Sequence, residues 1–180
     1  MLPRALSVLL GLTLSGLLAT TALAETPLFS ADGYRATLYR SPTPASAEVA
    51  QTVDTAQVQA LAKDQALLID VYKRPWLNGQ FIDSEAHANL PGSHWLPNTG
   101  DGQLDAQWAG YFSRHLERLS GGDHQRAIVF YCRSDCWLSW NAVRRATALG
   151  YTRLYWYRDG LDAWEAAGLP VVAASPEVFP

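Results

Sequence analysis

Apolar residues change period along this chain, and the changes mark its elements. In Thr55 to Lys63, the side chains Val58, Leu61 and Ala62 share one face at helical spacing and Thr55 stands where an N-cap belongs, which predicts a short amphipathic helix. Ala66 to Val71 is a continuous apolar run broken only by Asp70, the pattern of a strand buried on both faces. Ala127 to Tyr131 gives the same pattern without a break, and Thr152 to Tyr157 gives a third, aromatic-rich run. Helical spacing returns over Ala106 to Leu119, over Ser139 to Leu149 with Gly150 as the stop, and in a short stretch through Ala163, Trp164 and Glu165. Strands alternating with helices predict an α/β fold, a three-layer domain with a central parallel sheet covered by helices on both faces.

The remaining segments read differently. Glu25 to Ala50 carries Pro27, Pro42 and Pro44 among small polar residues, so hydrogen-bonded sheet is not expected there, and residues 25–54 are expected to form an extended arm with the domain proper at 55–180. Tyr72 to Asn98 is rich in Pro, Gly and Asn and reads as a long loop with one short helical turn. Residues 1–24 combine Arg4, the apolar stretch Ala5 to Leu18 and the small-residue triplet Ala22-Leu23-Ala24, the pattern of a cleaved signal peptide. A mature chain beginning at Glu25 is therefore expected in the periplasm. Nothing after it is apolar over a length that spans a bilayer.

Composition narrows the function classes. With 180 residues, 48% of them hydrophobic, the chain supports one ordinary core. Its formal net charge is −3 and no basic run stands out, which argues against nucleic acid as a partner. Trp137, Trp140 and Arg144 share a helix face, and with Trp156 and Tyr157 they serve either core packing or a docking patch.

The chain has two cysteines, Cys132 and Cys136, in the segment Tyr131-Cys132-Arg133-Ser134-Asp135-Cys136-Trp137-Leu138-Ser139. Cys132 follows a buried strand and precedes a helix, the place where open α/β sheets bind ligands. Unpaired amides of such a loop and of the helix's first turn stabilise a thiolate or an oxyanion, and Arg133 adds positive charge. Asp135 acts in the opposite sense, repelling an anion and raising a thiol's pKa. Three readings stand for the pair: a structural disulfide, thiol chemistry with Cys132 as nucleophile and Cys136 as resolving partner, and Cu(I) held by two soft thiolates plus a third ligand that the sequence does not identify. His87, His94, His115 and His124 show no zinc-type pairing; His94 is the strongest candidate among them for a ligand or acid–base role. Asp70 reads as a structural carboxylate at a strand end.

Cys132-Arg133-Ser134 between strand and helix resembles the active loop of rhodaneses. Leu67 to Val71 resembles that family's first central strand, Leu90-Pro91-Gly92-Ser93 its Ile-Pro-Gly-Ala turn, and Asp159-Gly160 to Trp164 with Gly168-Leu169-Pro170 its closing signature. The resemblance implies a rhodanese-like domain and sulfur-transfer or thiol/disulfide chemistry at Cys132 and Cys136, with Arg133 assisting and Ser134, Asp135, Trp137, Leu138 and Ser139 forming the loop. Trp95 to Gly100, Asp135-Cys136-Trp137 with Ser139 to Ala142, and Gly150-Tyr151 to Tyr157 are similar to periplasmic rhodanese-like proteins of PQQ-dependent catabolism named for a CXXCW motif. Three residues separate the cysteines here where that motif has two. This likeness implies support of PQQ-dependent alcohol oxidation, with a periplasmic PQQ-dependent dehydrogenase or cytochrome c as partner and no resident cofactor beyond the Cu alternative. A second reading is a non-catalytic binding module on the same scaffold. Phosphatases that share the fold clamp phosphate with an Arg six residues after their Cys; Leu138 stands there, which removes that chemistry.

Overall fold

A computed structural model describes residues 27–83 and 85–179; the expected signal segment 1–24 lies outside them. In chain order the elements are β1 (Gln51–Thr52), α1 (Thr55–Lys63), β2 (Leu67–Asp70), β3 (Trp76–Leu77), β4 (Gln80–Phe81), β5 (Ala88–Asn89), β6 (His94–Trp95), α2 (Ala106–Ser120), β7 (Ile128–Tyr131), α3 (Trp137–Ala148), β8 (Leu154–Tyr157), α4 (Gly160–Ala166) and β9 (Val172–Ala173). The central sheet runs β1-β8-β7-β2-β6 with parallel pairing throughout. This is the three-layer α/β domain that the alternation of periods predicts.

Strand parity sorts the core into two halves. Ile69, Val71, Phe130, Cys132 and Trp156 pack with Tyr111, Phe112 and Leu116 of α2 and with Leu138, Ala142 and Val143 of α3. On the opposite face, Leu68, Val129, Tyr131 and Tyr157 pack with Val58 of α1 and with Leu161 and Trp164 of α4. Each large side chain fully buried this way contributes about 1.5–3 kcal/mol of transfer free energy.

Helix ends differ in detail from the sequence expectation. Asp54, not Thr55, caps α1, in a reciprocal capping box with Gln57, while the Thr55 hydroxyl lies 2.7 Å from that of Tyr157. Helix α3 starts at Trp137, two residues before the expected Ser139, and its N-cap Cys136 makes no side-chain capping bond. Instead the Trp137 amide donates to the Tyr39 carbonyl at 2.9 Å, so the arm does the capping.

Among the described residues of the segment 72–98 there is no helical turn. The segment holds an antiparallel hairpin, β3 with β4, turning through Asn78 (φ 52°) and Gly79 (φ 77°), which is the positive-φ pair that Asn-Gly favours. Strand β5 then pairs with β9, and β6 adds to the edge of β2.

The arm is not free of hydrogen-bonded pairing either. Phe29 bridges Arg35, and Arg40 bridges Cys136, both antiparallel. The buried amide of Asn141 on α3 accepts from the Arg35 amide at 2.8 Å and donates to the Arg35 and Gly100 carbonyls, each at 2.8 Å. Beyond β9, Phe179 enters an aromatic cluster with Trp76, Phe81, Trp108 and Tyr111, and Glu177 meets His94 at 2.6 Å and Arg118 at 2.8 Å. Among the described residues no helix is long and apolar enough to cross a membrane.

Candidate functional site

Buried β7 delivers Cys132 to the carboxyl edge of the sheet. The chain then turns, Cys136 N–H donating to the Arg133 carbonyl at 3.2 Å, and enters α3. The turn brings the two sulfurs together: Cys132 and Cys136 form a disulfide with Cα atoms 6.0 Å apart. Both residues are buried, at 2% and 0% exposure, and both belong to the core half between the sheet, α2 and α3.

The loop therefore differs from an open cradle. Of the amides expected to face a thiolate, that of Ser134 donates to Asp162 at 2.9 Å, that of Cys136 to Arg133, and that of Trp137 to Tyr39. Arg133, expected to stabilise Cys132, instead meets Asp162 at 2.6 Å and Glu165 at 3.6 Å and lies over the ring of Tyr72. Asp162 also accepts from the Ser134 hydroxyl at 3.0 Å. Partial burial raises its pKa, but the bonds from Arg133 and Ser134 outweigh that and hold the carboxyl below its ordinary value. A carboxylate of the chain itself thus occupies the donors that an oxyanion would use.

Asp135 faces the arm, with its carboxylate 2.7 Å from Arg40. Tyr39 to Thr43 crosses the loop as a strap: the Ser41 amide donates to the Asp135 carbonyl at 2.8 Å, the Thr43 hydroxyl to the Ser134 carbonyl at 3.2 Å, and the Trp137 indole to the Ser41 hydroxyl at 3.0 Å. Trp137 is buried, and Phe29, Trp137 and Trp140 pack edge to face with Arg35 over Trp137 and Arg144 over Trp140. The aromatic group expected as pocket lining or docking patch is thus covered largely from within.

Leu138 and Ser139 are core residues. The Ser139 hydroxyl accepts from the Trp156 indole at 2.9 Å, and the backbone of Leu138 abuts Gly100, where a Cβ would strike the Leu138 carbonyl. Gly160, at φ 55°, presses likewise against the Cys132 carbonyl, to which the Leu161 amide donates at 2.9 Å. That contact ties the start of α4 to the loop.

Asp70 is 1% exposed and lies beside Tyr131 in register, so its side chain points to the α1/α4 face while that of Cys132 points away from it. Its carboxylate meets His87 at 2.8 Å and accepts from the Tyr72 amide at 2.7 Å. Burial drives its pKa up, opposed by the His87 contact. This pair is structural with respect to the disulfide. His94 is engaged with Glu177, and His115 lies 3.7 Å from the same carboxylate. Among the described residues no group of three His, Cys, Asp or Glu is assembled to hold a metal ion.

Sequence reading missed Asp162, the Tyr39 to Thr43 strap, Asn141 and the partner of Asp70. The one available signal was the proline spacing of the arm, which implied an extended segment without saying what it covered.

The profile of the rhodanese-like domain matches residues 54–167. No curated protein matches. Among solved structures, a thiosulfate sulfurtransferase from Pseudomonas aeruginosa is 16% identical with a TM-score of 0.51, over 73% of this chain and 22% of that one. A polysulfide-sulfur transferase homodimer from Wolinella succinogenes is 15% identical with a TM-score of 0.46, over 72% of this chain and 82% of that one. A human single-domain sulfurtransferase is 20% identical with a TM-score of 0.42, over 65% of this chain and 96% of that one. At these identities the first likeness speaks for the fold alone. Taken with the profile match over most of the chain, the sheet order and the position of Cys132 at the end of β7, it follows that the chain belongs to the rhodanese-like domain family.

Proposed function

We propose that this protein carries out thiol/disulfide exchange at the Cys132–Cys136 pair in the periplasm. The observation that supports this best is the disulfide itself, closed across the loop that follows β7. A ring this small constrains the unfolded chain little, contributing about 2 kcal/mol by the loop-entropy model, so stability alone is a weak reason for it. Sulfur transfer through a Cys132 persulfide is the second reading, supported by family membership. It ranks lower because Asp162 engages the Ser134 and Arg133 donors and Asp135 adds a further carboxylate beside the loop.

The location rests on the signal-like residues 1–24. A role in PQQ-dependent alcohol oxidation, with a PQQ-dependent dehydrogenase or cytochrome c as partner, rests on the resemblance carried by Trp95 to Gly100 and Asp135 to Ala142.

The test is a redox titration of the folded protein against dithiol/disulfide buffers, read by intact mass. A reversible two-hydrogen change above about −300 mV, the range below which structural disulfides lie, is the expected result. Reduction seen only when the protein unfolds would overturn the proposal.

A further inference from the structure

The strap pairs with the cysteine loop as one β-strand pairs with another. Arg40 and Cys136 are antiparallel partners, flanked by the bonds Trp137 N–H to Tyr39 carbonyl and Ser41 N–H to Asp135 carbonyl. Those two bonds run between the neighbours of Arg40 and Cys136, so the two residues form a non-hydrogen-bonded pair. In such a pair the Cα atoms stand about 4.5 Å apart and the side chains are at their closest. The bridge is isolated: at the next hydrogen-bonding position, Thr43 meets the Ser134 carbonyl through its side-chain hydroxyl and not through its main chain. The strap is therefore a short β-addition that a better strand can displace.

Resting on the exchange reading above, we infer that the substrate is a dithiol in an extended segment of another polypeptide, which takes the strap's place against Asp135 to Trp137 and presents a cysteine where Arg40 now stands. Its thiolate faces Cys136 and attacks that sulfur. A bond forms between the partner's sulfur and Cys136, the Cys132–Cys136 bond breaks, and Cys132 leaves as a thiolate and takes up a proton. The partner's second thiol then attacks its own sulfur in the mixed disulfide, releasing Cys136 as a thiol. Two electrons and two protons pass from the partner dithiol to the Cys132–Cys136 pair. Cys136, the fully buried member, is in this scheme the sulfur that meets the partner, and Cys132 is the leaving group.

The probe is a synthetic peptide of residues 36–44 carrying Arg40→Cys, compared with a scrambled peptide of the same composition. Each is incubated with oxidised full-length protein and with its Ser41→Pro and Arg40→Ala variants, and the products are trapped with iodoacetamide and mapped by mass. The register-matched peptide is expected to form an adduct on Cys136, with Cys132 alkylated, about ten-fold faster than the scrambled one, which is the worth of one or two hydrogen bonds. Ser41→Pro removes the strap's own amide bond to Asp135 and is expected to raise that rate by about ten-fold again. Equal rates for the two peptides, or an adduct on Cys132, overturn the inference and leave thiol exchange standing. A disulfide that neither peptide opens in any folded variant removes both.

Discussion

The side-chain amide of Asn141 holds the backbone of Arg35, 106 positions away in sequence, through bonds to both its N–H and its carbonyl. Helix α3 thereby fixes the course of the arm one turn after the cysteine loop, and the strap reaches Cys136 from that anchor. Arm, loop and helix form one hydrogen-bonded unit around the disulfide.

Replacing Asn141 with Ala leaves buried main-chain groups of Arg35 and Gly100 without partners. A loss of about 2–3 kcal/mol in urea unfolding is expected, together with proteolytic nicking between residues 27 and 43 while the domain stays folded. Unchanged protease resistance of the arm would show that Asn141 is not its anchor.

Breaking the Asp70–His87 pair has unequal costs by side. His87→Ala leaves a buried carboxylate without its partner and is expected to cost about 3–5 kcal/mol, whereas Asp70→Asn keeps an acceptor for the Tyr72 amide and should cost less than about 2 kcal/mol. Because the pair faces the α1/α4 side of the sheet, neither change should alter the rate of disulfide reduction in protein that is still folded. Parallel urea melts and reduction kinetics check both statements.

Asp162 links pH to the loop. Its folded-state pKa lies below the ordinary carboxylate value of about 3.9, so its contribution to stability is fully present above that value. The contribution is lost as pH falls through the lower, folded-state value. Acid titration followed by near-UV dichroism should show the loop loosening in that range, and Asp162→Asn should abolish this part of the transition.

Gly160→Ala forces a Cβ against the Cys132 carbonyl at a positive φ. A loss of about 3 kcal/mol is expected, from strain and from displacement of the Leu161 bond to Cys132. Gly168, also at positive φ but with no neighbour near its Cβ, is the control, expected to lose about 1 kcal/mol on the same substitution. Thermal melts of the two variants compare them directly.

Buried strands were the most legible part of this molecule. Leu67 to Ile69 and Ile128 to Tyr131 are apolar because helices cover both faces, and a run of that kind is visible without any knowledge of its neighbours. The hairpin at Asn78-Gly79 carried a clear local signal, but Pro75 and single charges around it read as loop. The arm's role was illegible for a different reason. Its bonds to the loop run mainly through main-chain atoms of Tyr39, Ser41 and Ser134, and main-chain pairing leaves little mark on side-chain composition. Arg133 shows the limit of local reading at the site itself: its charge was evident, but its partners Asp162 and Glu165 arrive from α4, 29 and 32 positions later.

Trp137 stands next to Cys136, and its indole N–H rests on the Ser41 hydroxyl of the strap. Disulfides quench indole emission at short range, and emission colour follows exposure of the ring to water. This one side chain is thus a built-in optical gauge with two independent dials: brightness for the state of the sulfur bond, and wavelength for whether the overlying segment has lifted. A Trp137→Phe difference spectrum isolates it from the other indoles and lets both events be timed in unlabelled protein.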